Sequence, residues 1–189
     1  RDFCLSRGLG DVYKRQAWNS DTFFSLIKAF ELPTNNQIKT FSRGMRMKAA
    51  LTIALSHDAK LLILDEATAG MDVSGREHVL EILEDYLVDD RAILISSHIS
   101  EDIEQLATQL VFMRDGRIIL KESKEVLLSQ YGIIDQPVEH FNISNEYLIA
   151  TRRRNDRQIS LVNNYQKVPD AQPLKTIDDA TKIIMRGEV

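Results

Sequence analysis

The chain has 189 residues, the length of one domain or of one domain with a small appendage. Its 43% hydrophobic and 28% charged residues are ordinary for a folded globular protein, and its 1 cysteine cannot form an internal disulfide. A net charge of -4 argues against a chain wrapped in nucleic acid, and no apolar run reaches the roughly 20 residues that cross a bilayer. We therefore expect a folded, cytoplasmic protein.

The opening segment, residues 1–16, shows neither helical nor strand periodicity. Its string GLGDVYKRQ resembles translated adaptor sequence, so we interpret these residues as a foreign segment and leave them out of the fold prediction. The alternative is an ordinary N-terminal arm.

Two helices are predicted next. The first begins at Ser20, ends before Pro33 and carries an apolar face formed by Phe23, Phe24, Ile27 and Phe30. The second begins at Ser42 and continues through MRMKAALTIALS, where apolar residues recur at helical spacing. The chain after this helix changes to a strand pattern.

Two buried strands are predicted with a helix between them. KLLILDE and AILIS each contain an apolar run that is typical of a parallel strand covered on both faces, and residues 74–88 are predicted as the helix. The second strand leads into Ser97 and His98, about thirty residues after the first, which is enough for a right-handed crossover. The two strand ends should therefore lie side by side.

The remaining chain predicts a mixture of shorter elements. SEDIEQLA predicts a helix, VFMRDGRIIL a hairpin that turns at Asp115 and Gly116, and residues 124–131 a short helix stopped by Gly132. VEHFNIS, YLIAT and QISLV predict strands before a final helix over 176–186, capped by Thr176 and Asp178. The class is α/β, with a main part over residues 17–135 and a small α+β accessory region over 136–189.

Two acidic side chains, Asp65 and Glu66, follow the first buried strand. Open parallel sheets bind ligands at the carboxyl ends of their strands, where one carboxylate can hold magnesium through water and its neighbour can orient an attacking water. The alternative role for this pair is a helix cap or a loop acid.

A helix start and a histidine are further candidates. Ser42 and Gly44 open the second helix, whose free amide groups and dipole favour a phosphate, and Arg43, Arg46 and Lys48 add positive charge nearby. Taken alone, this pattern is also typical of an ordinary capped helix. His98 could in the same way be a structural histidine.

Taken together, FSRGMRMK, LLILDEATAGMD and ILISSH resemble the second half of an ATP-binding-cassette (ABC) ATPase, from about Trp18 to Ile119. The resemblance implies a partial P-loop NTPase core that binds ATP and Mg²⁺. It assigns the ATP-binding signature to four consecutive residues, Ser42, Arg43, Gly44 and Met45, with Ser42 and Gly44 reaching the γ-phosphate held by the partner subunit.

The same resemblance implies a role for each acid and for the histidine. Asp65 matches the Walker B aspartate that holds magnesium through water, and Glu66 matches the general base. Asp72 matches the acid of the D-loop that contacts nucleotide, and His98 matches the switch histidine that senses the γ-phosphate. Glu66 and His98 are thus the expected catalytic residues.

The signature departs from the family's commonest form, LSGGQ, because Arg43 and Met45 replace a glycine and a glutamine. This form resembles the cassettes of ABC-2 type exporters, and the region after Gly132 resembles the C-terminal extension that those subunits often carry. The implied partners are a second ATPase subunit and an integral membrane permease, which would hold the protein at the inner face of the cell membrane.

A P-loop reads G-x-x-x-x-G-K-[ST], and none of the 8 glycines of this chain precedes a lysine. We therefore expect a C-terminal fragment that does not hydrolyse ATP by itself. Two alternatives remain open: an ABC ATPase that acts on nucleic acid or ribosomes, and a non-catalytic interaction fragment. The only hint of nucleic-acid binding is a cluster of four arginines at positions 152, 153, 154 and 157, which is more typical of a solvated strand end, so no nucleic-acid partner is expected.

Overall fold

The computed structural model describes residues 18–88 and 90–188. The chain divides into two compact units, Arg1–Ile99 and Ser100–Val189. Among the described residues, the elements of the first unit are α1 (Ser20–Ala29), α2 (Arg43–Leu55), β1 (Leu61–Asp65), α3 (Val73–Tyr86) and β2 (Ala92–Ser96). These elements confirm the predicted order of two helices followed by a strand, a helix and a strand.

The helix α1 begins at Ser20, as predicted, and of the four residues of its predicted apolar face only Phe24 is exposed. The Asn19 side chain accepts a hydrogen bond from the backbone N–H of Thr22 at 3.0 Å and so caps the helix. Leu26 and Phe30 are buried, whereas Phe24 is 66% exposed. Placing Phe24 on the buried face was therefore wrong, because the packing of α1 against α2 decides which apolar side chains are covered.

The strands β1 and β2 pair in parallel, as predicted, and their register sets Asp65 opposite Ser96. Burial on both faces was wrong: Leu62 is buried, but Ile63 is 71% exposed and Leu94 is 60% exposed. Successive side chains of a strand point to opposite faces of a sheet. Burial along these two strands alternates in the same way, so only one face of this sheet is covered by the described residues.

The second unit contains two antiparallel sheets and three helices among its described residues. Its elements are α4 (Ser100–Leu106), β3 (Gln109–Arg114), β4 (Arg117–Ser123), α5 (Lys124–Gln130), β5 (Gly132–Pro137), β6 (Leu148–Arg154), β7 (Arg157–Val162), β8 (Gln172–Pro173) and α6 (Ile177–Arg186). β3 pairs with β4, and the other strands form a sheet in the order β6-β7-β5-β8. The core of this unit includes Leu127, Leu161 and Ile184, each fully buried.

Several local predictions for the second unit are confirmed. Asp115 and Gly116 form the turn between β3 and β4 with positive φ angles of 50° and 72°. Thr176 caps α6, since its hydroxyl accepts a hydrogen bond from the N–H of Asp179 at 3.2 Å. Asp178 does not cap the helix as predicted but lies in its first turn, where it pairs with Lys182. These signals act over a few residues, which is why the sequence shows them.

Two other predictions for this unit were wrong. VEHFNIS was expected to be a strand, but it forms only a short 3₁₀ turn at Val138–His140. Gly132 was expected to stop α5 as a cap, but it is the first residue of β5. The boundary predicted between residues 135 and 136 stays a prediction, and β5 crosses these two positions.

The arginine-rich segment lies at the tip of the β6–β7 hairpin. The Nε of Arg157 donates to Oδ1 of Asp135 at 2.8 Å, and the Nε of Arg153 donates to the backbone oxygen of Asn155 at 3.3 Å. Both contacts are made within the hairpin and its neighbouring strand β5, as expected of a strand end. None of the helices in residues 18–88 and 90–188 combines the length and the apolar character needed to span a bilayer.

The pH stability of the second unit should depend on Tyr131. Burial, together with the negative charge of Glu122, raises the pKa of Tyr131 from 10.0 to about 12. Because an unfolded tyrosine ionises near 10, the free energy of unfolding should fall by roughly 2 to 3 kcal/mol as the pH rises from about 10 to about 12. Urea unfolding monitored by fluorescence at a series of pH values measures this slope.

Tyr131→Phe is the control for this prediction, since it keeps the ring and removes the ionisable hydroxyl that donates to Glu122 at 3.3 Å. The variant should lose most of the alkaline dependence. An unchanged slope in Tyr131→Phe would show that other groups cause it.

Candidate functional site

The ends of β1 and β2 bring the predicted catalytic residues together. Asp65 and Ser96 end the two paired strands, and Glu66 and His98 follow them. The Nδ1 atom of His98 lies 2.5 Å from Oε2 of Glu66, within hydrogen-bond distance. The His98 side chain is 72% exposed and the Glu66 side chain 38% exposed, so this pair is open to a ligand from solvent.

A serine that the sequence analysis did not select joins the two acids. The hydroxyl of Ser96 donates to Oδ1 of Asp65 at 2.5 Å, and the backbone N–H of Glu66 points to the same hydroxyl at 3.2 Å. The signal that could have found Ser96 is the strand register, because the last residues of two parallel strands of equal length face each other.

Glu66 has an unusual backbone conformation for a residue with a side chain. Its φ angle is +52°, in the left-handed region. Such a conformation costs about 1 to 3 kcal/mol, and it persists where surrounding contacts hold it. Here the Glu66 N–H donates to the backbone oxygen of Ser96 at 3.1 Å, and the Glu66 oxygen accepts from the N–H of Ala69 at 3.0 Å. The carboxylate is thus fixed at the start of a tight turn.

The signature residues form the capped start of α2. Ser42 is its N-cap, and its hydroxyl accepts a hydrogen bond from the N–H of Met45 at 3.1 Å. A Cβ atom added at Gly44 would lie 3.7 Å from Cγ of Met71, so this helix start lies beside the loop that follows Glu66. Ser42 is exposed, and the amide groups of the first helical turn offer an anion site.

The side chain of Arg43 lies over Gly70 in that loop. A Cβ atom added at Gly70, where φ is +81°, would meet Cδ of Arg43 at 3.0 Å and its Nε at 3.2 Å. Arg46 is engaged elsewhere, because its Nη1 donates to the backbone oxygen of Phe41 at 2.8 Å. The structure therefore places Arg43 against the loop of the same unit.

Asp72 lies at the start of α3. It is the N-cap residue of that helix, but its side chain makes no capping hydrogen bond. Its Oδ1 atom would lie 2.8 Å from a Cβ added at Gly75, which explains the glycine at this buried position. The predicted site residues thus form two groups, one at the strand ends and one at the α2 start with the loop beside it.

Asp65 is compatible with magnesium held through water. Its Oδ1 accepts a hydrogen bond from the Ser96 hydroxyl. Mg²⁺ usually keeps several waters and binds one or two carboxylates together with substrate phosphates. No group of three or more histidine, cysteine or acidic side chains among the described residues forms a complete metal cage.

Comparison with protein families agrees with this geometry. Residues 10–69 match the family described as ABC transporter. The matched range includes α2, β1 and the Glu66 turn, but not His98. It also includes residues 10–16, part of the segment interpreted as foreign; these residues lie outside the described ones, and that interpretation stays a prediction.

The similarity to curated relatives covers more of the chain than the family match does. The lantibiotic transport ATP-binding protein SrtF of Streptococcus pyogenes is 37% identical over 116 residues, which is 61% of this chain and 47% of SrtF. The linearmycin resistance ATP-binding protein LnrL of Bacillus subtilis is 32% identical over 120 residues, covering 62% of this chain and 38% of LnrL. The chain thus spans less than half the length of these relatives.

Solved structures confirm the fold. The ATP-binding subunit of an ABC transporter matches with a TM-score of 0.53 and 24% identity, over 57% of this chain and 46% of that one. A bacterial ABC transporter cassette solved as a dimer matches with a TM-score of 0.50 and 18% identity, over 55% of this chain and 46% of that one. The predicted α/β class is confirmed, with a fold consistent with a partial P-loop NTPase core, and the chain is similar to the ATP-binding proteins of ABC transporters.

Proposed function

We propose that this chain is the C-terminal part of a subunit that hydrolyses ATP to drive an ABC transporter. The observation that carries this proposal is the 2.5 Å contact between His98 and Glu66. It lies at the carboxyl edge of two parallel strands, where open α/β sheets bind their ligands. A base paired with a histidine beside a second carboxylate suits hydrolysis of the phosphoanhydride bond of ATP, because one acid can orient water while the other serves the metal.

In this proposal each group has one task. Glu66 accepts a proton from the attacking water and orients it, and His98 holds the Glu66 carboxylate while contacting the γ-phosphate. Asp65 would hold Mg²⁺ through water, and the bound ion would supply positive charge to the phosphate oxygens. The start of α2, with Ser42, Arg43, Gly44 and Met45, would offer amide groups to ATP bound on a second subunit, and Asp72 would contact the same nucleotide.

The transport role is also part of the proposal. SrtF is named for lantibiotic transport and LnrL for linearmycin resistance. These names support an ABC-2 type exporter whose two ATPase subunits dimerise head to tail and bind a membrane permease from the cytoplasmic side. Residues 136–189 would then be a C-terminal accessory region. The experiment that tests partner binding is co-purification of the tagged protein with an integral membrane protein encoded beside it, which would be absent if the transport role is wrong.

The proposal predicts that the 189-residue chain has no Mg²⁺-dependent ATPase activity, because no P-loop sequence is present in it. Activity should appear in a completed chain, in which the N-terminal segment of SrtF that precedes the matched region is joined to residues 18–189. The release of inorganic phosphate measures the ATPase activity of the 189-residue chain and of the completed chain. Turnover by the 189-residue chain above that of its Glu66→Ala variant would contradict the prediction.

The head-to-tail arrangement makes a separate prediction for Ser42. In the completed chain, Ser42→Arg should leave ATP binding to a monomer intact but abolish hydrolysis at the site facing the altered subunit. The added side chain would block the helix start that reaches the partner's nucleotide.

The ATPase activity of mixed dimers tests this prediction. One subunit carries Ser42→Arg and the other carries a disabled P-loop, so a head-to-tail dimer has one site with both defects and one site with neither. Such a dimer should keep about half of the parent's activity. If Ser42 instead acted on the nucleotide of its own subunit, each site would carry one defect and the mixed dimer would be inactive.

A further inference from the structure

We propose that Ser96 is a positioning residue that holds the Asp65 carboxylate and the Glu66 backbone in one arrangement. Ser96 ends β2 directly opposite Asp65 in the parallel register. Residues opposite each other in neighbouring strands project to the same face of a sheet. The short hydroxyl side chain therefore meets the carboxylate without any bend in either strand.

The hydroxyl of Ser96 has a donor role and an acceptor role in this arrangement. It donates to Oδ1 of Asp65 at 2.5 Å, a length typical of a hydroxyl bonded to a charged carboxylate. It also lies 3.2 Å from the N–H of Glu66, which additionally donates to the Ser96 backbone oxygen at 3.1 Å. One residue of β2 thus contacts the carboxylate of Asp65, which ends β1, and the backbone of Glu66, which follows it.

These contacts act on the two acids in different ways. Asp65 is held through its side chain, at Oδ1. Glu66 is held by its backbone at a φ angle of +52°, and its carboxylate then lies within 2.5 Å of His98. Loss of the Ser96 hydroxyl should free the Asp65 side chain to rotate and loosen the turn that presents Glu66. The catalytic consequence rests on the proposed function, but the hydrogen bonds themselves do not.

The neighbouring serine provides a matched control. The hydroxyl of Ser97 accepts from the N–H of Ile99 at 3.0 Å, a contact within the turn that follows β2. Ser97→Ala removes the same atom one residue away. Ser96→Thr keeps the hydroxyl and adds a methyl group that a strand tolerates well. Compared with Ser96→Ala, these two variants separate the loss of the hydroxyl at position 96 from a general effect of altering this strand end.

The first experiment uses the 189-residue chain without nucleotide. The carboxyl ¹³C resonance of Asp65 reports its hydrogen bonding in a labelled sample. Ser96→Ala should move this resonance, Ser96→Thr should keep it near the parent position, and Ser97→Ala should leave it unchanged. An Asp65 resonance that does not move in a folded Ser96→Ala variant overturns the proposal. So does a resonance that moves equally in Ser97→Ala.

The second experiment measures ATP hydrolysis by the completed chain. Ser96→Ala should lower kcat by about 10- to 100-fold with an unchanged KM for ATP, since supporting contacts of a metal-binding carboxylate have effects of this order. Ser96→Thr should recover most of the rate. If the completed parent chain is active and Ser96→Ala leaves its kcat unchanged, the catalytic role of Ser96 is overturned but the proposed function is not. If the completed parent chain is inactive, both the catalytic role of Ser96 and the proposed function are overturned. The Asp65 resonance then still tests whether Ser96 holds Asp65 by a hydrogen bond.

Discussion

Replacing Glu66 with glutamine should lower the ATPase rate of the completed chain by about 10²- to 10⁴-fold, the usual cost of removing a positioned general base. Glutamine has the shape of glutamate but cannot accept a proton from water at neutral pH. Asp65 and Ser96 are untouched by this change, so ATP binding should persist. The variant should therefore accumulate as an ATP-bound dimer, which size-exclusion chromatography with ATP and Mg²⁺ detects as a larger species than the parent.

Two variants make this result specific. His98→Ala should also slow turnover, because it removes the group that lies 2.5 Å from the Glu66 carboxylate. Glu77→Gln is a matched control. Glu77 is an exposed acid on α3, so this substitution makes the same chemical change at a position away from the strand ends. If Glu66→Gln hydrolyses ATP at the parent rate, Glu66 is a structural acid and the proposed mechanism is wrong.

Gly132→Ala should destabilise the second unit by roughly 2 to 4 kcal/mol, at the upper end of the range for forcing an atom into a packed core. A Cβ atom at Gly132 would lie 2.4 Å from the backbone oxygen of Gln172 and 2.5 Å from Cβ of Tyr165. Gly132 begins β5 between β7 and β8, so relief of this clash requires the strands to separate. Urea unfolding of the parent and the variant at one pH measures the difference.

Gly116→Ala is the control in the same unit. Nothing lies within 4 Å of a Cβ added there, but the φ angle of +72° gives alanine a conformational cost of about 1 kcal/mol. The loss of stability should therefore be clearly smaller than for Gly132→Ala. Equal losses in the two variants would show that close packing at Gly132 is not what requires a glycine.

The candidate site was largely predictable, because its signals are local. The hydroxyl of Ser42 before a helical pattern predicted the α2 start within one residue, and that helix begins at Arg43. Two acids after an apolar run placed Asp65 and Glu66 at the end of β1. The position of His98 after the second strand then followed from the parallel crossover, which aligns the carboxyl ends of both strands.

The contacts around these residues could not be predicted in the same way. The Ser96 hydroxyl reaches Asp65 only because β1 and β2 pair in one particular register. Arg43 packs over Gly70 because α2 lies beside the loop after Glu66, and these residues are far apart in the sequence. A short motif predicts the backbone conformation of its own residues. A contact between two separate elements can be predicted only when the positions of both elements are known.

The sequence by itself determined the α/β class, the order of the main helices and strands, the Asp115–Gly116 turn and the positions of the two acids. Only the tertiary structure decided that Phe24 and Ile63 are exposed, that Gly132 belongs to a strand, and that Ser96 joins Asp65 to Glu66. The physical reason is the range of the interactions. Caps, turns and periodicity act within a few residues, but the burial of a side chain depends on which distant elements pack against it.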